Sequence, residues 1–155
     1  MSQSVALATK GDAAMTDRIQ NFLRDRRAKG LDTGPCVVVD LEVVRENYHN
    51  FAKTLPDTRV FYAVKANPDP KVLDLLARLG SCFDTASVVE IQQVLATGVS
   101  PDRLSYGNTI KKERDIAKAF ELGVRLFAVD CEAEVEKIAR AAPGAKVFCR
   151  ILCNG

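Results

Sequence analysis

Tryptophan is absent from this chain of 155 residues, and histidine occurs once, at His49. One imidazole and five cysteines without a CxxC pair leave too few donors for a zinc site, so no metal is expected. The cysteines (Cys36, Cys82, Cys131, Cys149, Cys153) are odd in number, and four sit in or beside apolar runs. Buried free thiols in a reducing, cytoplasmic setting are the simplest reading. No apolar run nears the ~18 residues that a membrane span requires. The opening MSQSVALATKGDAAM has a short VALA core with no basic residue before it, so it does not read as a secretory signal. Its small, polar make-up predicts disorder over residues 1–15. Charge of one sign is scarce as well. The net charge is +2, and the densest basic stretch, RDRRAKG at 24–30, carries no interleaved aromatics. It reads as a solvated helix end, so no nucleic-acid partner is expected.

What is present is a globular composition, 47% hydrophobic and 27% charged, at single-domain length. TDRIQNFLRDRRAKG predicts a short amphipathic helix capped by Thr16 or Asp17 and closed by Gly30, with a linker to residue 34. PCVVVDL then predicts a strand. LEVVRENYHNFAKTL predicts a helix with apolar residues at 44, 48, 51, 52 and 55; His49 lies off that stripe, facing solvent. Together these make up residues 35–57.

From residue 58 onward a cycle sets in. The strands RVFYAV, SCFDT, RLSYGN, VRLFAVD and AKVFCRIL alternate with helices that end at Gly80, Gly98, Gly123 and Gly144. Glycine at a helix end suits the left-handed residue that closes it. Apolar strands joined through single helices predict a parallel sheet with right-handed crossovers. The marker residues Lys65, Asp84, Gly107, Asp130 and Arg150 stand 19, 23, 23 and 20 residues apart. So even a beat favours a (β/α)8 barrel over an open doubly wound sheet. The first strand–helix turn, KANPDP, contains no glycine, which counts against a dinucleotide site. Five strands are fewer than the eight of a closed barrel, so the expected fold is α/β, the N-terminal part of a TIM-type barrel.

Functional groups of such barrels lie at the C-terminal ends of the strands. Lys65, Asp84 and Arg150 all fall there. By period two, Phe61, Ala63 and Lys65 share a face, and small Ala63 beneath Lys65 leaves room for a flat ligand. A lysine closing an apolar strand either reaches water or reacts. As a nucleophile its amine can form a Schiff base with a carbonyl, with Asp84 balancing the charge and Arg150 holding an anionic oxygen. An ordinary ion-pair network at the rim is the competing reading.

VFYAVKANP, CFDTASVVEIQQVL and SYGNTIKKERDIAKAFELGVRLFAVD together resemble the eukaryotic-type ornithine decarboxylases and their bacterial lysine/ornithine relatives. These are pyridoxal-phosphate-dependent decarboxylases built like alanine racemase. The resemblance covers all but the first fifteen residues or so. It implies pyridoxal 5'-phosphate as cofactor, Lys65 as its covalent attachment point, and Asp84 and Arg150 beside it; the room left by small Ala63 is then where the cofactor is expected. It implies decarboxylation of a basic L-amino acid, ornithine or lysine, to a diamine in polyamine synthesis, by a cytoplasmic homodimer. The strand PCVVVDL would join a separate C-terminal β-domain in this family. The family's phosphate grip and substrate-reading residues do not map onto 1–155, so a complementary C-terminal chain or segment is expected, and the chain is expected to be inactive alone. Diaminopimelate decarboxylase or an amino-acid racemase is the alternative within the fold. A non-catalytic homologue that binds regulatory partners is the alternative of another class.

Overall fold

The computed structural model describes residues 15–31 and 34–153, in two units that divide after Glu42. Apart from Met15, the N-terminal tail read as disordered lies outside the described residues. The first unit holds helix α1 (Asp17–Ala28), which the Thr16 hydroxyl caps by accepting from the Ile19 amide at 3.2 Å. The same hydroxyl donates to Asp40 at 2.6 Å, and Arg18 Nε reaches that carboxylate at 2.8 Å. Asp40 also accepts from the Glu42 amide at 3.0 Å, at the start of helix α2 (Leu41–Thr54). The Thr16 hydroxyl, ahead of the Arg18 guanidinium and the Glu42 amide, holds the Asp40 carboxyl below the usual carboxylate range against the effect of burial.

Residues 35–40, expected as a strand, form no ladder among the described residues, and Val37 is 92% exposed. A strand needs a neighbour to satisfy its backbone groups, and none of the five strands described here pairs with this segment.

The second unit is the repeating part. Strands β1 (Phe61–Ala63), β2 (Cys82–Thr85), β3 (Leu104–Tyr106), β4 (Leu126–Val129) and β5 (Lys146–Cys149) form one sheet. All neighbours are parallel, in the order β1-β2-β3-β4-β5. A doubly wound sheet reverses its order at a switch point. This one does not, which is the winding of a barrel. Helices α3 (Pro70–Arg78), α4 (Val88–Leu95), α5 (Glu113–Glu121) and α6 (Glu132–Ala141) make the crossovers.

The core lies between sheet and helices. Phe83, Leu104 and Phe127 point outward from the strands and are fully buried, as are Leu73, Ile91 and Ile116 on the covering helices. Each such side chain contributes roughly 1.5–3 kcal/mol by burial. Period two then sends Asp84, Ser105 and Leu126 to the opposite, inner face. The glycines expected at helix ends do carry positive φ, and at Gly123 (φ +95°) a second constraint applies. A Cβ there would stand 2.8 Å from Pro101 Cγ.

The expectation of buried thiols holds for Cys82 alone; Cys36, Cys131, Cys149 and Cys153 are exposed. Cys36 lies on the unpaired segment, and Cys149 belongs to β5, an edge of the sheet. Among the described residues no helix is long and apolar enough to cross a membrane.

Candidate functional site

The first strand stops earlier than its sequence suggests. β1 ends at Ala63, and Val64–Ala66 form a 3₁₀ turn that carries Lys65 beyond the sheet and leaves it exposed. Lys65 therefore sits on a turn above the strand and escapes the burial that its apolar neighbours predict. The turn is pinned from both sides. Tyr62 donates its hydroxyl to the Asn67 carbonyl at 3.2 Å, and Asn67 Oδ1 accepts from the Asp69 amide at 3.0 Å. Asp69 in turn caps α3 by accepting from the Lys71 amide at 2.9 Å, with Pro70 at the first helical position. Burial raises the Tyr62 phenol above its usual range, so it remains a donor to that carbonyl. KANPDP is thus a chain of caps that fixes one lysine.

Asp84 is fixed by a different device. Ser87 caps α4, accepting from the Glu90 amide at 3.2 Å, while Glu90 accepts from the Ala86 amide at 2.7 Å. This reciprocal arrangement locks the turn directly after β2. In the sheet, Ala63 pairs with Asp84 and Asp84 with Ser105. Ser105 Oγ donates to Asp84 Oδ1 at 2.5 Å. A Cβ at Gly107 would collide with the same carboxylate. Arg150 continues the β5 ladder, its amide donating to the Val129 carbonyl at 2.7 Å.

Lys65, Asp84 and Arg150 line one cavity of about 580 Å³, together with Phe61, Ser105, Gly107, Leu126 and Phe148. Ala63 lies on the same inner-face row, in register with Asp84, but does not line the cavity. Among the described residues neither the Lys65 amine nor the Arg150 guanidinium makes a hydrogen bond or ion pair, so both are available to a ligand. Sequence reasoning missed Ser105 altogether and used Gly107 only as a marker of spacing. Period two along RLSYGN puts the two on one face of that stretch, but only the register beside Asp84 makes that the face of the site.

Behind the site, the loop after β3 is held by a lysine that the sequence did not single out. Lys111 Nζ donates to the carbonyls of Asn108 (3.0 Å), Thr109 (3.2 Å) and Ala128 (2.6 Å) and lies 3.3 Å from Glu134. Lys137 pairs with Glu134 and donates to the Lys111 carbonyl at 2.6 Å.

An amine, a carboxylate and a guanidinium around an open cavity with apolar walls can take a flat anion that bears a carbonyl. The Gly107 cradle, filled by the Asp84 carboxylate, gives that acid a defined place in the wall. This donor set fits pyridoxal phosphate: an amine for the aldehyde, a cation for anionic oxygen, and aromatic walls for the ring.

Fold and site together define a parallel β/α barrel protein with an exposed lysine, Lys65, on its C-terminal rim. Residues 41–154 match the pyridoxal binding domain of the pyridoxal-dependent decarboxylases, and the chain belongs to that family. It is 44% identical over 124 residues to the lysine/ornithine decarboxylase of Selenomonas ruminantium, covering 80% of this chain and 31% of that protein. It is 40% identical over 114 residues to antizyme inhibitor 2 of Xenopus laevis, covering 74% of this chain and 25% of that protein. Among solved structures, SrLDC in complex with PLP and cadaverine superposes with a TM-score of 0.78 at 37% identity, covering 92% of this chain and 36% of that one. The chain spans about a quarter to a third of the length of the curated relatives it matches. The sheet is thus the N-terminal barrel portion of an alanine-racemase-type decarboxylase.

Proposed function

We propose that the whole protein decarboxylates a basic L-amino acid, ornithine or lysine, to the corresponding diamine. The observation that carries this reading is the convergence of Lys65, Asp84 and Arg150 on one cavity at the strand ends. The name of the Selenomonas relative and the amine in the SrLDC complex support the substrate class. In this reading the amine of Lys65 would hold pyridoxal phosphate covalently, with Asp84 and Arg150 beside it. Bound there, the cofactor supplies an electron sink for the charge left when carbon dioxide departs. Asp84 offers negative charge to the nitrogen at Lys65, and Arg150 offers its fork of N–H donors to an anionic oxygen. Phe61, Leu126 and Phe148 give the cavity apolar walls against which a flat ring can lie. Lys65 stands on a turn rather than a strand, so its amine can leave and return without disturbing the sheet. Activity is expected of the whole protein, not of residues 1–155 alone, because the described residues form five strands and a closed barrel has eight.

Borohydride reduction followed by peptide mass spectrometry tests the assignment, with ornithine, lysine and diaminopimelate as trial substrates. A pyridoxyl group on Lys65 and release of carbon dioxide from ornithine or lysine are expected. Labelling elsewhere, or none, would overturn it. A second reading, a non-catalytic partner of regulators, rests on the likeness to antizyme inhibitor 2. It predicts no cofactor absorbance and no turnover from the whole protein.

A further inference from the structure

Along the inner face of the sheet, Asp84 has unlike neighbours on its two sides. Ala63 on β1 offers it a methyl group, and Ser105 on β3 offers a hydroxyl in the same row. The carboxylate is accordingly drawn towards β3, where Ser105 Oγ donates to Oδ1 at 2.5 Å. That distance lies in the range of a hydrogen bond to a charged oxygen, about twice as strong as a neutral one. Two residues further along the chain, Gly107 leaves vacant the volume that the carboxylate fills, since a Cβ there would collide with both of its oxygens. Donor and hole are separate features, and both select the same orientation.

The seat itself is rigid. Ser105 is 3% exposed, its carbonyl accepts from the Thr85 hydroxyl at 2.7 Å, and the Gly107 amide donates to the Thr85 carbonyl at 2.8 Å. Nothing else requires a hydroxyl at this point of β3. The rest of the inner row is apolar or belongs to the site: Ala63, Asp84 and Leu126. With Oδ1 engaged by Ser105, the remaining carboxylate lone pairs are those offered to the cavity that Lys65 and Arg150 share.

We propose that Ser105 is a positioning residue of this site, its hydroxyl seating the Asp84 carboxylate over Gly107 in the one orientation that faces the pyridoxal phosphate position at Lys65. The proposal rests on the reading of the site given above. It adds a residue that acts on the cofactor only through Asp84.

The test is a double-mutant cycle in the whole protein. Ser105→Ala, Asp84→Ala and the double variant are titrated with pyridoxal 5'-phosphate by visible absorbance, and the share of Lys65 trapped by borohydride is read by mass spectrometry. Loss of a hydrogen bond to a charged group predicts roughly tenfold or weaker cofactor binding for Ser105→Ala. In the Asp84→Ala background the same change should have no further effect, because the group it positions is gone. Ser105→Cys keeps the volume and loses the strong donor, so it should behave as Ser105→Ala does and stands in should that variant fold poorly. Additive losses in the cycle, or cofactor binding unchanged by both Ser105 variants, would overturn the proposal while leaving Asp84 in the site. If Asp84→Ala alone left binding and trapping intact, the site reading itself would fall.

Discussion

Lys111 and Glu134 face each other across 3.3 Å and are shielded from solvent, their side chains 0% and 5% exposed. The pair joins the loop after β3 to α6, and the Lys111 amine closes that loop onto β4 through the Ala128 carbonyl. Removing one partner from a buried pair costs about 3–5 kcal/mol, because the other charge is left without compensation. Lys111→Met should sit at the lower end of that range, since Lys137 still pairs with Glu134. Lys111→Met with Glu134→Leu should cost less than the sum of the two single changes. Urea unfolding midpoints check both, and strict additivity would refute the coupling.

The same cluster gives a pH dependence of stability. Burial works to raise the Glu134 carboxyl, but Lys137 and Lys111 outweigh it and hold the group below its ordinary 4.5. A carboxylate depressed in the folded state contributes stability above its unfolded value, and that contribution is lost as pH falls through the folded one. Burial lowers Lys111 below its ordinary 10.5, with Glu134 opposing. In the window just under 10.5 the unfolded chain holds the extra proton, so this group makes stability rise with pH there. Glu134→Gln should flatten the acid limb of a stability–pH curve below 4.5; an unchanged limb would place the acid sensitivity elsewhere.

The parallel winding was legible because every crossover ends in glycine and the strands are apolar on both faces. That Lys65, Asp84 and Arg150 meet at one cavity was legible because they close strands of a parallel barrel, a rule that needs no coordinates. Ser105 was not. Its role depends on the lateral register that sets it beside Asp84, and periodicity within one strand carries no information about the neighbour. Lys111 was hidden for a similar reason. Followed by Lys112 and Glu113, it reads as the solvated start of α5, and only the fold of the loop onto β4 buries it. The thiols misled in the opposite direction, because apolar sequence around Cys149 predicts a covered strand and β5 lies at a sheet edge.

Gly107→Ala should disturb Asp84 without straining the backbone, since φ at this residue is not in the left-handed region. The added methyl must displace the carboxylate. Overpacking of this kind costs roughly 1–3 kcal/mol. Thermal unfolding should show that loss, and cofactor titration of the whole protein should show weaker binding. Asp84→Ala in the same chain empties the space and should restore the stability but not the binding. Restoration of neither would mean that the methyl meets something other than Asp84.

Lys65 separates stability from function most cleanly. It is exposed on its turn and, among the described residues, has no partner to lose. Surface changes of that kind stay within about 0.5 kcal/mol. Lys65→Ala should therefore unfold at the same urea concentration as the parent while abolishing borohydride trapping of pyridoxal phosphate. Arg150→Ala should likewise leave stability near the parent value, because its backbone amide alone continues the β5 ladder, and should weaken cofactor binding without abolishing trapping at Lys65. If Lys65→Ala instead destabilised the chain by several kcal/mol and trapping moved to another lysine, the exposed turn would be a structural brace and the reactive amine would lie elsewhere.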